Sequence, residues 1–562
     1  MSDSAERPVE AEPLKGDQVD GVSKDRGAGC GKLGMNKLTG WRTAAFLLSL
    51  FLCLIVVFAF SFILPCPLRP QYLRAWNRTL PNAATYDFLA MGDANKDKVQ
   101  DVFFIYKSSE GSMNHSCSGE GLPSPCLFLL AVDGTNGETL WERPLAAELR
   151  WVECGVGGMK GKTCLVAHAK NFTALDMHTG VAVWQRLTPV NSGKLPVIIM
   201  PDLDKDGIDD IAVLSYNCTI NNNTCSNAMT EMVIFSGKSG DMVGSKVDVE
   251  SVLHGTRAHL QLTTASGAQY ILLHTGTGLY AVGLWRLAKM AGAGLESYLK
   301  KEKSWEEKAA ETGLIPLHES KSLLKVLLVK GSGDPSPSLL LLTPSTVTLF
   351  NTRTRSISWT ANTSTLLSTP SFGRYNEDDV PDVVLEEDQG NRTKRVLILD
   401  GKTGRELWRA SLLSWSQSPR PASVLTLNSY SVFMLWGESL THSETSPADE
   451  ERSSYLLHPR HPQVLLERSN PTQHIRSFKV VLLERGRHAC YLVLSGADGE
   501  QMEEAGLAGA GAVVLTKRKI KDDVGESSVL GVGKAEGEPV PRDEEELVKE
   551  AFHRLRFSDE VK

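Results

Sequence analysis

Twenty-one consecutive positions, Ala44 to Leu64, carry no charge and read AAFLLSLFLCLIVVFAFSFIL, with Ser49 and Ser61 the only hydroxyls. At 1.5 Å rise per residue, a helix of this length spans the roughly 30 Å hydrocarbon core of a bilayer. The run is longer, and lies farther from the N-terminus, than the apolar stretch of a cleaved signal peptide. A single transmembrane helix over 44–64 is therefore expected. Residues 1–43 lack any apolar period and read as a disordered tail. Pro65, Pro67 and Pro70 predict a stiff stalk over 65–85. From Tyr86 onward the pattern changes to short aliphatic and β-branched runs broken by Gly, Asp and Asn: VFFIY, LFLLAV, IAVLSY, EMVIFS, DVVLEE, RVLILD, CYLVLS. Many short strands at nearly even spacing predict sheets, here over 86–515. Two segments depart from that texture. Leu284 to Leu314 has helix-forming composition with charges four apart, a predicted helical insertion. The charged tail 516–562 contains RDEEELVKEAFHRLRF, an amphipathic helix with Leu547, Ala551 and Leu555 on one side, free to dock or to stay loose.

The strand runs belong to a repeat. LLAVDGTNGETLW ends at Trp141, FTALDMHTGVAVW at Trp184 and VLILDGKTGRELW at Trp408, with Asp133 to Asp176 and Gly137 to Gly180 both 43 residues apart. Weaker copies lie near Gly240, at VTLFNTRTRSISW ending at Trp359, and near Gly499. Each unit is a strand, a tight turn and a returning strand. Asp or Asn opens the turn by accepting backbone amides, and Gly supplies the φ > 0 position. The Trp offers a broad apolar face for packing between sheets. About 43 residues is the length of one four-stranded propeller blade. A mainly β, seven- or eight-bladed β-propeller following one N-terminal transmembrane helix is the expected architecture.

Between the strands lie acidic loops. PDLDKDGIDDIAVL places Asp202, Asp204, Asp206 and Asp210 at relative positions 1, 3, 5 and 9. An EF-hand is excluded, because position 12 would be Val213, inside a strand run, where that loop needs a bidentate acid. Oxygens at these offsets, with Gly207 for the tight bend and the Ile208 carbonyl as a further ligand, suit a calcium loop within a β-hairpin. GDANKDKVQDVFFI repeats the offsets at Asp93, Asn95, Asp97 and Asp101, with Lys98 in place of the glycine. FGRYNEDDVPDVVL is a degraded third copy: Arg374 stands at the first acidic position, ahead of Asn376, Asp378 and Asp382. A guanidinium there is expected to neutralise the carboxylates in place of a metal.

Charge and composition narrow the class. A net charge of -7 and a pI near 6.1 provide no basic face for nucleic acid. Arg26, Lys32, Lys37 and Arg42 precede the apolar run and Arg69, Arg74 and Arg78 follow it, so flanking charge barely orients the segment. Asn-x-Ser/Thr sequons orient it better: Asn77, Asn114, Asn171, Asn217, Asn222, Asn362 and Asn391 all lie after it. A type II protein is expected, glycosylated on a C-terminal region that is extracellular or lumenal, at the plasma membrane or in the secretory pathway. Three local cysteine pairs, Cys117 with Cys126, Cys154 with Cys164 and Cys218 with Cys225, are the expected disulfides of an oxidising compartment; Cys66 and Cys490 remain as further partners or free thiols. Tight Cys-x-x-Cys pairs with zinc spacing are missing.

The Asp-x-Asp-x-Asp-Gly-x-x-Asp loops followed by a strand resemble the FG-GAP repeats of integrin α-subunit propellers. The LD-x-x-TG-x-x-x-W units resemble blades of quinoprotein dehydrogenase-like propellers. An anchor ahead of such an ectodomain is similar to the family of integrin alpha FG-GAP repeat-containing protein three, over residues 70 to 515. The resemblance implies structural Ca2+ at the eight loop positions of the first two copies. The Gly-Ala-Pro tripeptide is missing and only Phe372-Gly373 matches the Phe-Gly pair, so integrin-type ligand binding is not carried over.

Catalytic signatures are missing too: no adjacent cysteines beside a quinone site, no Gly-x-Ser-x-Gly, no His-Glu-x-x-His. GAGCGKLG, at Gly27 to Gly34, lacks the Gly-Lys-Ser/Thr ending of a phosphate loop. His458 and His461, in LLHPRHPQ, read as surface-loop residues. The expected function is a non-catalytic recognition module, membrane-bound through 44–64, with an unidentified protein partner. A quinone-dependent enzyme and a receptor or trafficking chaperone of the secretory pathway are the alternatives.

Overall fold

A strand that is apolar on both faces needs cover on both faces, and in the computed structural model each such strand is sandwiched between two neighbouring sheets. The structure describes residues 40–63 and 73–558 apart from short internal segments, the longest being 188–196, 249–256, 440–451 and 501–510. Cys126–Val132, Thr163–His168 and Cys490–Ser495 are buried at every position. Rim strands alternate instead: Ala182–Leu187 buries Trp184 while Val183 and Leu187 face solvent. A strand covered on both sides reads as a continuous hydrophobic run, and a half-covered one alternates.

Eight antiparallel sheets follow one another along the chain, each a blade of an eight-bladed β-propeller. Their innermost strands, blades 1 to 8, are Ala83–Gly92, Leu149–Cys154, Val197–Met200, Arg257–Thr263, Lys325–Val329, Ser371–Gly373, Ala422–Leu425 and Ile475–Val481. The core is distributed over the ring: a separate hydrophobic cluster fills each of the eight interfaces between consecutive blades, the eighth joining blade 8 to blade 1. Closure is made by Trp76–Pro81. This strand pairs with Ala512–Lys519 and so supplies the outer strand of blade 8 from the opposite end of the chain. Ala497–Asp498 adds a short parallel pairing to the inner strand of blade 1.

Part of the expected stalk is therefore propeller: Trp76–Pro81 and the start of Ala83–Gly92 lie within 65–85. The prolines that suggested a stalk stop at Pro70, and a lone closing strand lacks the repeated turn that marked the others. The propeller also runs past 515. Ser528–Gly531 pairs with Val464–Ser469 as a fifth strand of blade 7, and helix Arg542–Arg554 follows. That helix buries Val548 and Phe552, with Leu555 just beyond it, while the expected Leu547 is 66% exposed. The insertion over 284–314 sits between the third and fourth strands of blade 4 as helix Leu284–Ala291, a 3-10 turn and a short helix Lys303–Glu306. Trp285 and Tyr270 both donate to Glu306, which ties the insertion to its blade.

In a separate unit, Met1–Pro70, Gly40–Ile63 form one uninterrupted helix of 24 residues. The side chains of Arg42 and of 59–63 lie outside the described set, and among the described residues no helix is long and apolar enough to cross a membrane. The expected membrane span is thus not shown.

Candidate cation loops

In blades 1, 3 and 6 the loop joining the first and second strands carries the acidic sequence, and its last carboxylate opens the second strand. Asp101, Asp210 and Asp382 are each completely buried. Asp101 accepts the amides of Ala94 (2.7 Å) and Asn95 (3.3 Å) through Oδ2 and that of Gly134 (3.0 Å) through Oδ1. Asp210 accepts Leu203 (2.8 Å) and Gly237 (3.4 Å); Asp382 accepts Tyr375 (2.6 Å), Asn376 (3.2 Å) and Gly401 (2.9 Å). One carboxylate thus pins the loop to the turn between the third and fourth strands. Burial pushes all three up to about 6, against the opposing pull of these amides. The glycine in each turn permits the approach: a Cβ on Gly134, Gly237 or Gly401 would stand 2.0–2.1 Å from the carbonyl oxygen of Gln100, Asp209 or Pro381.

The blade 3 loop gathers its acids. Carboxylate oxygens of Asp202, Asp204 and Asp210 lie within 4.8 Å of one another. Asp202 also accepts the amides of Asp206 (3.1 Å) and Gly207 (2.9 Å), and Asp204 that of Asp206 (3.1 Å). Burial acts to raise Asp202, but the amides of Gly207, Lys205 and Asp206 outweigh it and hold the group below the usual carboxylate range. Lys205 lies over the Tyr298 ring, 5.2 Å from its centre. Asp206, expected as a ligand, stands apart from that trio and accepts Ile208 N–H (2.9 Å) and Ser236 Oγ (2.8 Å). Three hard oxygen donors around one point, with lone pairs to spare, fit a calcium-sized cation.

Blade 1 differs. Among the described residues its carboxylates form no such trio. Asn95 turns Nδ2 toward Asp97 (3.3 Å) and Asp133 (3.4 Å), and Asp93 Oδ1 is buried without a hydrogen-bond partner among the described residues. In blade 6, Arg374 pairs with Asp379 at 2.9 Å, not with the Asp378 and Asp382 it was expected to neutralise. Asp382 is held instead by the amides of Tyr375, Asn376 and Gly401. Sequence reasoning missed the turn residues that meet these loops: Asp133, which accepts Asn95 Nδ2, Ser236, which donates to Asp206, and Asp400, which accepts Asn376 Nδ2 at 3.4 Å. The recurring Asp-Gly or Ser-Gly of the repeat was the available signal.

Tryptophans on the outer strands of blades 8, 1, 2, 5 and 6 lock each of these blades to the next. Trp76, Trp141, Trp184, Trp359 and Trp408 donate Nε1–H to the carbonyls of Gly134, Met177, Gly237, Gly401 and Pro462, each in the turn of the following blade. Gly404, at φ +71°, sits under the Trp359 ring, where a Cβ would come within 2.6 Å.

Cys117–Cys126 and Cys154–Cys164 are disulfide-bonded. Cys218 and Cys225 lie on neighbouring strands, opposite Ala228 and Ile220, and their side chains are outside the described residues. Asn77, Asn114, Asn362 and Asn391 are exposed and Asn171 is half-buried; the side chains of Asn217 and Asn222 are outside the described set. His458, read as a surface-loop residue, is only 2% exposed, because the C-terminal helix covers it.

An eight-bladed propeller with Asx-rich loops pinned by buried aspartates is the class that fold and site define. The chain belongs to the FAM234A/B beta-propeller family, whose model matches residues 76–558. It is 35% identical to Protein FAM234A of Bos taurus over the full length of both chains. It is 30% identical to Protein FAM234B of Mus musculus over 80% of this chain and 74% of that one. A europium-containing methanol dehydrogenase is similar with a TM-score of 0.42 at 9% identity, covering 79% of this chain and 93% of that one. The name integrin alpha FG-GAP repeat-containing protein three is not confirmed by these matches.

Proposed function

We propose that this chain is a non-catalytic, glycosylated, type II single-pass membrane protein whose calcium-stabilised propeller is a recognition surface for a protein partner outside the cytosol. Membership of a propeller family supports the module itself. The observation that carries the rest is positional: all seven sequons follow the apolar helix Gly40–Ile63, and four of the five with described side chains are exposed. Asp202, Asp204 and Asp210 are the residues that would hold calcium. Asp93, Asn95, Asp97 and Asp101 form a second, weaker candidate, and Asp206 acts by shaping the first loop. A bound cation would cross-brace a loop already anchored to the turn behind it, and would stabilise the fold by mass action.

Two measurements on the full chain in cells and in detergent test this. Endoglycosidase should increase gel mobility, and protease added to intact, sealed membranes should leave the C-terminal region uncut if the lumenal side is right; unchanged mobility overturns the topology. Calcium added after chelation should raise the melting temperature of the wild type by more than that of Asp204→Ala, a substitution the loop should tolerate because Asp204 is exposed and, among the described residues, accepts one loop amide. A shift of equal size in both proteins removes calcium from this loop.

A further inference from the structure

Beyond its fifth strand in blade 7, the chain returns toward the propeller axis. Leu427 N–H donates to Arg556 O (2.8 Å), Ser558 N–H donates to Leu425 O (2.9 Å), and Phe557 bridges Thr426 antiparallel. Leu425 ends the inner strand of blade 7. Ser558 there helps to line a cavity of about 440 Å³ together with Leu328 of blade 5, Phe372 of blade 6, Val424 of blade 7 and Val480 of blade 8. Helix Arg542–Arg554 holds this segment down through Val548 and Phe552.

The ground under Phe552 is a pair of imidazoles. His458 meets the Phe552 ring edge-on at 5.8 Å and Tyr430 at 6.0 Å, while His461 stacks on Phe552 at 6.5 Å. His458 Nδ1 accepts Arg460 N–H at 3.2 Å, and Nε2 is buried without a hydrogen-bond partner among the described residues. Around them stand Arg460, over the Tyr430 ring at 5.5 Å, and Glu377, bonded to Tyr430. From the helix, Glu544 faces His461, and the His553 carbonyl is taken by Lys521 at 2.6 Å. A proton on His458 would turn its one acceptor against a donor and set a charge among apolar rings beside Arg460, with no acid facing it among the described residues.

We propose that residues 540–558 are an acid-released strap, docked over blade 7 and the axial cavity at neutral pH and undocked as the surroundings acidify. Burial first, then the charges of His461 and Arg460, lowers His458 from 6.5 to about 4, and burial also lowers His461. The sign follows from linkage. A lowered value in the docked state means that the free strap site binds more protons, so docking weakens as pH falls through 6.5 toward 4. From pH 7 to pH 5 His458 alone weakens docking on the order of 20-fold. The device needs neither calcium nor the membrane topology proposed above.

Hydrogen exchange of the full chain in detergent, corrected for intrinsic rates, tests it. Protection of the 542–554 peptide should fall on the order of 20-fold between pH 7 and pH 5, while the blade 8 strand Cys490–Ser495 stays protected. His458→Gln, and His458→Phe should the amide fail to fold, should flatten that response, and His461→Gln should reduce it. Protection equal at both pH values in the wild type, or an undiminished fall in the His458 variants, overturns the strap; parallel loss in Cys490–Ser495 marks global unfolding and also overturns it.

Discussion

Asp382 isolates the physics of the pinning aspartates, because its loop is not a calcium candidate. Three amides solvate its carboxylate, yet burial wins and places the group at about 6 where an unfolded aspartate sits near 3.8. A raised folded value means that the native state keeps a proton the unfolded chain has released. Its contribution therefore falls as pH rises from about 4 to about 6, by up to about 3 kcal/mol. Chemical denaturation in chelator should show the stability of wild type relative to Asp382→Asn declining across that window; a relative rise would contradict the burial argument. The sequence showed that an acid stood at the ninth position of each loop. It did not show that this acid is buried against the neighbouring turn while the earlier ones accept amides within their own loop, since both roles call for the same residue in the same spacing.

At the scale of elements, blades 8, 1, 2 and 5 are each held to the next by a tryptophan on the outer strand and a turn glycine on the neighbour. Gly404→Ala forces a left-handed alanine against the Trp359 ring and should destabilise the protein by about 2–4 kcal/mol. Trp359→Phe keeps the apolar face but drops the 2.9 Å bond to Gly401 O, and should lose about 1–2 kcal/mol. Thermal or denaturant unfolding checks both, and a larger loss in Trp359→Phe than in Gly404→Ala would reverse the assigned roles. This motif was legible because its turn needs an Asp or Ser, a glycine and a tryptophan at fixed offsets. The C-terminal helix was legible as amphipathic but its face was displaced by one residue, Val548 and Phe552 in place of Leu547 and Ala551. Helical period specifies a stripe, and only the imidazoles and strands beneath it decide which edge of the stripe is covered.

For the whole molecule, closure decides whether eight blades behave as one body. The blade count stayed open in the sequence because the last blade borrows Trp76–Pro81 from more than 400 residues away and carries no tryptophan turn of its own making. Such a seam should open before any interface between blades that are consecutive in sequence, since reclosing it requires the largest loop. Trp76→Ala and Trp184→Ala remove the same buried ring and a similar bond to a turn carbonyl, at 3.3 Å and 3.2 Å, and should each lose about 3–5 kcal/mol. Their exchange maps should differ. Trp76→Ala should raise exchange together in Trp76–Pro81, Ala512–Lys519 and Ala83–Gly92, opening blade 8 from blade 1, whereas Trp184→Ala should confine the change to blades 2 and 3. Identical, evenly spread exchange in the two variants would mean that the seam is no weaker than the other interfaces, and that the ring unfolds without a preferred point of entry.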